Sequence, residues 1–198
     1  DATVAKLIIE GRLRDEKRNI SVMFTDLTGF TAYSEIRQPE LVTRDLNRYF
    51  SEMEKIMFAY NAHIDKYQGD GIMCEFGTPL DFAHYRLMAV VCAVKMQEKM
   101  ASSQSYPWKM RIGIASGMAI VGLIGAKRQA YTTIGDVVNL SSRLEKACAP
   151  GAILIDSNTM EGVRPFIEVK LKHEVKLSDS LVTGIQKKIR LLGKKLET

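Results

Sequence analysis

Two aspartates, each in a short segment of small and polar residues, could together hold divalent cations. Asp26 lies in residues 24–31 (FTDLTGFT), and Asp70 lies in residues 68–71 (QGDG). Carboxylate oxygens are the ligands that hard cations such as Mg²⁺ and Mn²⁺ prefer in proteins. The two segments therefore predict a metal site if the fold brings them together, although either aspartate alone would equally suit a turn.

The elements that must position these aspartates follow from hydrophobic periodicity and turn signals. In order, the sequence predicts a strand over 20–25, a helix over 39–60, strands over 62–67 and 72–76, a helix over 82–100 and a strand over 109–115. The order β-α-β-β-α-β predicts an α+β fold with a ferredoxin-like core. In that core the third strand lies antiparallel beside the first, so we expect Asp26 and Asp70 to face each other across neighbouring strands.

The chain beyond this core predicts additional strands and one more helix. These are a turn at 115–118 (ASGM), a strand over 119–124 that forms a hairpin with the strand before it, a polar loop over 125–131, a helix over 134–147, a strand over 152–155 and a strand-rich tail over 166–192. Asn139 and Arg143 stand four residues apart on the predicted helix, so we expect them to project from the same side.

Length and composition favour one soluble, cytoplasmic domain. The chain has 198 residues, 46% of them hydrophobic, so it can bury a sizeable core. No apolar run approaches the roughly 18 residues of a membrane span, and three widely spaced cysteines in apolar segments favour reduced thiols. The net charge of +5 comes without a basic motif interleaved with aromatic residues, so we expect no nucleic-acid partner.

The first residue is an aspartate rather than a methionine, so we expect a fragment of a longer protein. Residues 1–18 would form the lead-in from an upstream region, and residues 19–195 would form the functional domain. That upstream region could attach the domain to a sensor or to the cytoplasmic face of a membrane.

Three ordered motifs resemble the signature blocks of class III nucleotidyl cyclase catalytic domains. They are residues 24–31, residues 69–71 (GDG) and residues 135–145 (GDVVNLSSRLE). The resemblance implies the class III cyclase fold and the cyclisation of a nucleoside triphosphate with release of pyrophosphate. It also implies two divalent ions per site, Mg²⁺ or Mn²⁺, and a homodimer in which each site is shared between the two protomers.

The resemblance implies a role for each motif residue. Asp26, Asp70 and the carbonyl of Leu27 would hold the ions. Asn139 would orient the ribose, and Arg143 would stabilise charge at the α-phosphate. The backbone amides that would hold the β- and γ-phosphates belong to Thr28, Gly29, Phe30 and Thr31. The tail departs from the family pattern, and we choose Lys176 there as the lysine that contacts the triphosphate.

Two further positions imply the choice of base. Lys66 stands four residues before Asp70, and Thr132 stands seven residues before Asn139. Adenylyl cyclases place an adenine-reading pair at these positions, with threonine at the second position in class IIIb, whereas guanylyl cyclases have glutamate and cysteine. The resemblance therefore implies an adenylate cyclase that converts ATP to 3′,5′-cyclic AMP.

Other interpretations share part of this pattern. A guanylate cyclase, a diguanylate-type cyclase or a polymerase palm would also use paired aspartates. Lys66 and Thr132 argue against guanine, and the GDG motif lacks the acidic residue that follows in diguanylate cyclases. A degenerate cyclase domain that only binds nucleotide or a partner would lack metal or transition-state residues, and this sequence keeps both sets.

Overall fold

The computed structural model describes residues 2–103, 105–127, 129–177 and 180–191, and it describes side chains up to Phe166. The helices are α1 (Ala2–Ile9), α2 (Phe30–Glu35), α3 (Pro39–Ala59), α4 (Tyr85–Ser102), α5 (Asp136–Ala147) and α6 (Ser157–Val163). The strands are β1 (Glu16–Thr28), β2 (His63–Gln68), β3 (Gly71–Phe76), β4 (Lys109–Ile124), β5 (Ala130–Ile134), β6 (Ile153–Asp156), β7 (Ile167–Leu177) and β8 (Ser180–Leu191).

One sheet runs through the molecule in the order β2-β3-β1-β4-β6-β8-β7, and β5 pairs with β4 outside this path. β1 lies antiparallel to both β3 and β4, so the first four strands have the order of a ferredoxin-like core. The predicted fold class is therefore confirmed. None of the helices in the described part of the chain is both long and apolar enough to span a bilayer.

Helices cover both faces of the sheet. On one face α3, α4 and α6 enclose a core that includes Met23, Ile72 and Ile114. On the other face α5 packs on a smaller core that includes Val22 and Ala115. The helix α5 therefore packs on the strand pair β1–β4. Asp26 lies near the end of β1.

Close packing against β4 fixes the position of α5. A Cβ atom on Gly113 would lie 2.2 Å from the backbone nitrogen of Glu145 and 2.4 Å from the carbonyl oxygen of Ser141. Only glycine permits this approach, because the obstructing atoms are backbone. The Ser141 hydroxyl then donates to the carbonyl oxygens of Val22 and Gly113. This contact brings the last turn of α5 to the start of β4.

The predicted turn at 115–118 is wrong, because β4 continues through it as one strand of 16 residues. Ser116 and Gly117 lie opposite Ser21 and Ile20 of β1. The Ser116 hydroxyl is 2.6 Å from the hydroxyls of Ser21 and of Thr159, so its polar group is satisfied across the sheet rather than within a turn. The predicted loop over 125–131 is also too long, since β5 begins at Ala130.

Candidate active site

The two aspartates predicted to hold metal lie side by side. Asp26 stands near the end of β1, and Asp70 stands in the turn directly before β3. The backbone N–H of Leu27 donates to Asp70 Oδ2 over 3.1 Å, and the N–H of Ile72 donates to Thr25 Oγ1 over 3.1 Å. The antiparallel β1–β3 pairing therefore brings the segments together as the sequence predicted.

An arginine that the sequence analysis missed lies against these carboxylates. Arg111 is opposite Asp26 in the β1–β4 register. Its Nη2 atom lies 2.5 Å from Asp26 Oδ2 and 3.0 Å from Glu145 Oε1. Burial raises the pKa of Asp70, and the neighbouring charge of Asp26 raises it further. Burial also raises the pKa of Glu145, while Arg111 opposes this. Only the strand register, which motifs do not encode, would have identified Arg111.

The donor set suits a hard divalent cation. Two carboxylates and the Leu27 carbonyl offer oxygen atoms alone, and Arg111 balances only part of the negative charge of Asp26, Asp70 and Glu145. Among the described residues, no group of three or more histidine, cysteine, aspartate or glutamate side chains forms a complete metal cage. Mg²⁺ commonly binds through one or two carboxylates together with substrate phosphates, so the incomplete set fits an ion that arrives with a phosphate ligand.

The segment that follows Asp26 forms an exposed backbone turn on an aromatic support. Gly29 has a φ of 92°, in the left-handed region that favours glycine, and it precedes α2. Phe30 packs edge-on against Trp108 at 5.2 Å between ring centroids, and Tyr33 packs on the same indole at 5.0 Å. The turn that contains the predicted phosphate-binding amides of Thr28, Gly29, Phe30 and Thr31 is therefore anchored to the core.

The structure places Asn139 and Arg143 on the exposed side of α5, projecting from one side as predicted. Both line an open cavity of about 700 Å³ with Ser116, Gly117 and Asn158, among others. Ser116 lies five residues beyond Arg111 on β4, or about 17 Å along an extended strand. Neither metal aspartate is among the described residues that line this cavity. The predicted metal aspartates therefore lie outside the cavity of the predicted Asn139–Arg143 pair, and we refer to these two groups as half-sites.

The predicted base-reading residues come together through a third residue. Thr132 Oγ1 donates to Asp65 Oδ2 over 2.9 Å, and Lys66 Nζ lies 3.3 Å from the same oxygen. Lys66 is on β2 and Thr132 is on β5, which pairs with β4, so side chains from two strands that are distant in the sequence meet at this carboxylate. The motif comparison did not identify Asp65. Lys176 lies in β7 opposite Leu181, and its side chain is outside the described part of the structure.

Comparison with known proteins agrees with this geometry. The sequence profile of the adenylate and guanylate cyclase catalytic domain matches residues 14–191. The chain belongs to this family. The predicted family is therefore confirmed, and so is the expected class III cyclase fold. The assignment of individual site residues stays a prediction.

Relatives of both base specificities resemble this cyclase domain. Adenylate cyclase 1 of Rhizobium meliloti is 31% identical over 79% of this chain and 26% of its own length. The adenylyl cyclase CyaB from P. aeruginosa has a TM-score of 0.82 and 34% identity, covering 91% of this chain and 100% of that one. The guanylyl cyclase Cya2 has a TM-score of 0.80 and 33% identity, covering 86% and 93%. The chain thus spans about a quarter of the first curated relative, and similarity alone does not decide the base.

Proposed function

We propose that this cyclase domain is an adenylate cyclase, which converts ATP to 3′,5′-cyclic AMP and pyrophosphate. The observation that carries the choice of adenine is the convergence of Lys66 and Thr132 on one carboxylate oxygen. A lysine donates to a ring nitrogen such as adenine N1, and a threonine oxygen can accept from the N6 amino group. Similarity to adenylate cyclases of Rhizobium meliloti and P. aeruginosa supports the activity.

In this reaction the ribose O3′ attacks the α-phosphorus, its hydroxyl proton is released, and the bond from that phosphorus to the bridging oxygen breaks. Two divalent ions, Mg²⁺ or Mn²⁺, held by Asp26, Asp70 and the Leu27 carbonyl would activate the hydroxyl and neutralise phosphate charge. Arg111 lies against Asp26, where its guanidinium could also contact the triphosphate. The exposed turn over residues 28–31 offers backbone amides for the β- and γ-phosphates.

The remaining groups act from the other half-site. Asn139 would fix the ribose so that O3′ points at phosphorus, and Arg143 would stabilise the charge that develops on the α-phosphate. Within one chain these residues line a cavity separate from the metal aspartates. We therefore propose a homodimer in which one protomer contributes Asp26 and Asp70 and its partner contributes the base, ribose and α-phosphate contacts. Lys176 of β7 is the proposed tail contact to the triphosphate.

Two features support a cytoplasmic location for this activity. Cys74, Cys92 and Cys148 are all free and buried, as in proteins of a reducing compartment. ATP, the proposed substrate, is also a cytoplasmic metabolite.

The direct test is product identification. Purified protein is incubated with ATP or GTP and Mn²⁺, and the products are separated by chromatography beside authentic cyclic nucleotides. We expect cyclic AMP and pyrophosphate in equal amounts from ATP, with GTP used poorly. A preference for GTP would favour the alternative function, guanylate cyclase, which is the activity of the similar protein Cya2. Nucleotide binding without product would favour a degenerate domain.

A second test addresses the base directly. The double substitution Lys66→Glu, Thr132→Cys reverses the hydrogen-bond pattern offered to the purine. We expect it to reduce kcat/KM for ATP by about a hundredfold. Because the double substitution also removes two partners of the buried Asp65 carboxylate, circular dichroism at the assay temperature checks that the variant is folded. Unchanged turnover of ATP would show that these side chains do not contact the base.

A further inference from the structure

A buried carboxylate stands behind the base-reading pair. The side chain of Asp65 is only 2% exposed, whereas that of Lys66 is 47% exposed. Asp65 therefore cannot itself present a hydrogen-bonding face to a nucleotide. Its Oδ2 atom contacts two residues that are more exposed, Lys66 and Thr132.

A β-bulge explains how the consecutive residues Asp65 and Lys66 can both lie next to Thr132. In a regular strand Asp65 and Lys66 would project to opposite faces of the sheet. The β2–β3 register shifts between Ile64 and Lys66, which lie opposite Cys74 and Met73. Asp65 is thus an extra residue without a partner in the ladder, and such bulges commonly redirect a side chain beside a functional site. The shift lets both side chains meet Thr132.

The chemistry of the contact removes an ambiguity at Thr132. A threonine hydroxyl has one proton to donate and two lone pairs to accept with. Alone, it could accept from the N6 amino group of adenine or donate to the O6 atom of guanine. An ionised carboxylate can only accept, so the 2.9 Å bond to Asp65 takes up the single hydroxyl proton of Thr132. The threonine then presents only lone pairs to a bound base.

We propose that Asp65 is a positioning residue for base specificity: it fixes Thr132 as a hydrogen-bond acceptor and holds the Lys66 ammonium beside it as a donor. The resulting acceptor–donor pair matches the N6 and N1 atoms of adenine and opposes the O6 and N1–H groups of guanine. This inference rests on the proposed adenylate cyclase function, and it adds a residue that does not touch the substrate.

The test compares Asp65→Ala with the conservative Asp65→Asn. Alanine frees the Thr132 hydroxyl to donate, so the ratio of kcat/KM for ATP to that for GTP should fall by about tenfold or more, mainly through KM for ATP. Asparagine keeps an oxygen that can accept from Thr132, so the ratio should stay within about threefold of the wild-type value. Displacement of N-methylanthraniloyl-ATP by ATP and by GTP gives the same comparison without turnover.

A double-mutant cycle separates this role from a structural one. If Asp65 acts through the Thr132 hydroxyl, Asp65→Ala should lower the ATP-to-GTP ratio less in a Thr132→Val background than in the wild-type background, because only its effect through Lys66 remains. Glu98→Ala, which removes an exposed ion pair with Lys95 on α4, is the control for loss of a surface charge pair and should leave the ratio unchanged. If Asp65→Ala fails to fold, Asp65→Ser, too short to reach Thr132, replaces it.

Different results would refute the role of Asp65 and the proposed adenylate cyclase activity. An equal loss of ATP and GTP use in Asp65→Ala, or an unchanged ratio, overturns the role of Asp65. A fall of the ratio in the Thr132→Val background as large as the fall in the wild-type background also overturns it. Wild-type protein that makes no cyclic AMP from ATP refutes the proposed function itself, whatever the variants show.

Discussion

Mixing two inactive variants should restore activity if each site is shared between two protomers, as we propose. Asp26 pairs with Arg111 at the start of β4, and neither metal aspartate lines the cavity that Asn139 and Arg143 share. Asp26→Ala and Arg143→Ala chains should each be inactive alone. In a mixed dimer one site carries both defects, and the other joins an intact aspartate to an intact arginine.

The size of the recovery follows from symmetry. With random exchange of equal amounts, about half of the dimers are mixed and each has one of two sites intact, so activity should reach about a quarter of the wild-type value. The assay is cyclic AMP formation after co-incubation, with chain exchange verified by native mass spectrometry. A chain with both substitutions is the matched control and should restore nothing with either single variant. Demonstrated exchange without recovery would refute the shared site.

Three further predictions concern the metal, the fold and pH. Asp70→Asn keeps an oxygen that can accept from the Leu27 N–H but loses the negative charge that would hold the ions. It should reduce kcat by about a hundredfold or more in assays with Mn²⁺. The circular dichroism spectrum should be unchanged. Gly113→Ala should lower the free energy of unfolding by about 2–4 kcal/mol, measured by thermal unfolding, because the added Cβ atom would overlap backbone atoms of α5. Gly117→Ala is the control that should be tolerated, because a Cβ atom there would lie 3.8 Å from the Val137 side chain. Burial raises the pKa of Glu75 from 4.5 to about 8, so the folded state retains a proton that the unfolded chain loses. Stability should therefore fall as pH rises between these values, and Glu75→Gln should abolish about 3 kcal/mol of that fall between pH 5 and pH 8 in urea titrations. Equal pH profiles for the two proteins would contradict the burial of a protonated glutamate.

The proximity of Asp26 and Asp70 could be predicted from the sequence, because it requires only two motifs and the order of the strands. Once residues 62–76 form a hairpin and β3 lies beside β1, the ends of those strands must meet. Nothing in the motif around Asp26 indicates Arg111, since that contact depends on the register of β4 against β1. Strand register is set by packing over the whole sheet.

Local rules failed where tertiary contacts replaced local ones. Ser116 and Gly117 have the composition of a turn, yet hydrogen bonds from Ser116 to Ser21 and Thr159 keep them in β4. Alternation likewise assigns Asp65 and Lys66 to opposite faces, and only the bulge brings them to the same one. Ser116 and Gly117 line the cavity of Asn139 and Arg143, and Asp65 contacts Thr132, so both departures lie beside predicted site residues.

The aromatic support beneath the predicted phosphate-binding turn gives this domain an intrinsic fluorescent reporter. Trp108 is the only tryptophan of the chain, and its indole contacts Phe30 and Tyr33 on the element that follows the turn. A nucleotide bound by the backbone amides of residues 28–31 would lie beside Phe30, which contacts this indole. Its arrival and departure should therefore change the emission of a single fluorophore, so that binding can be timed in stopped flow with unlabelled protein and unlabelled ATP.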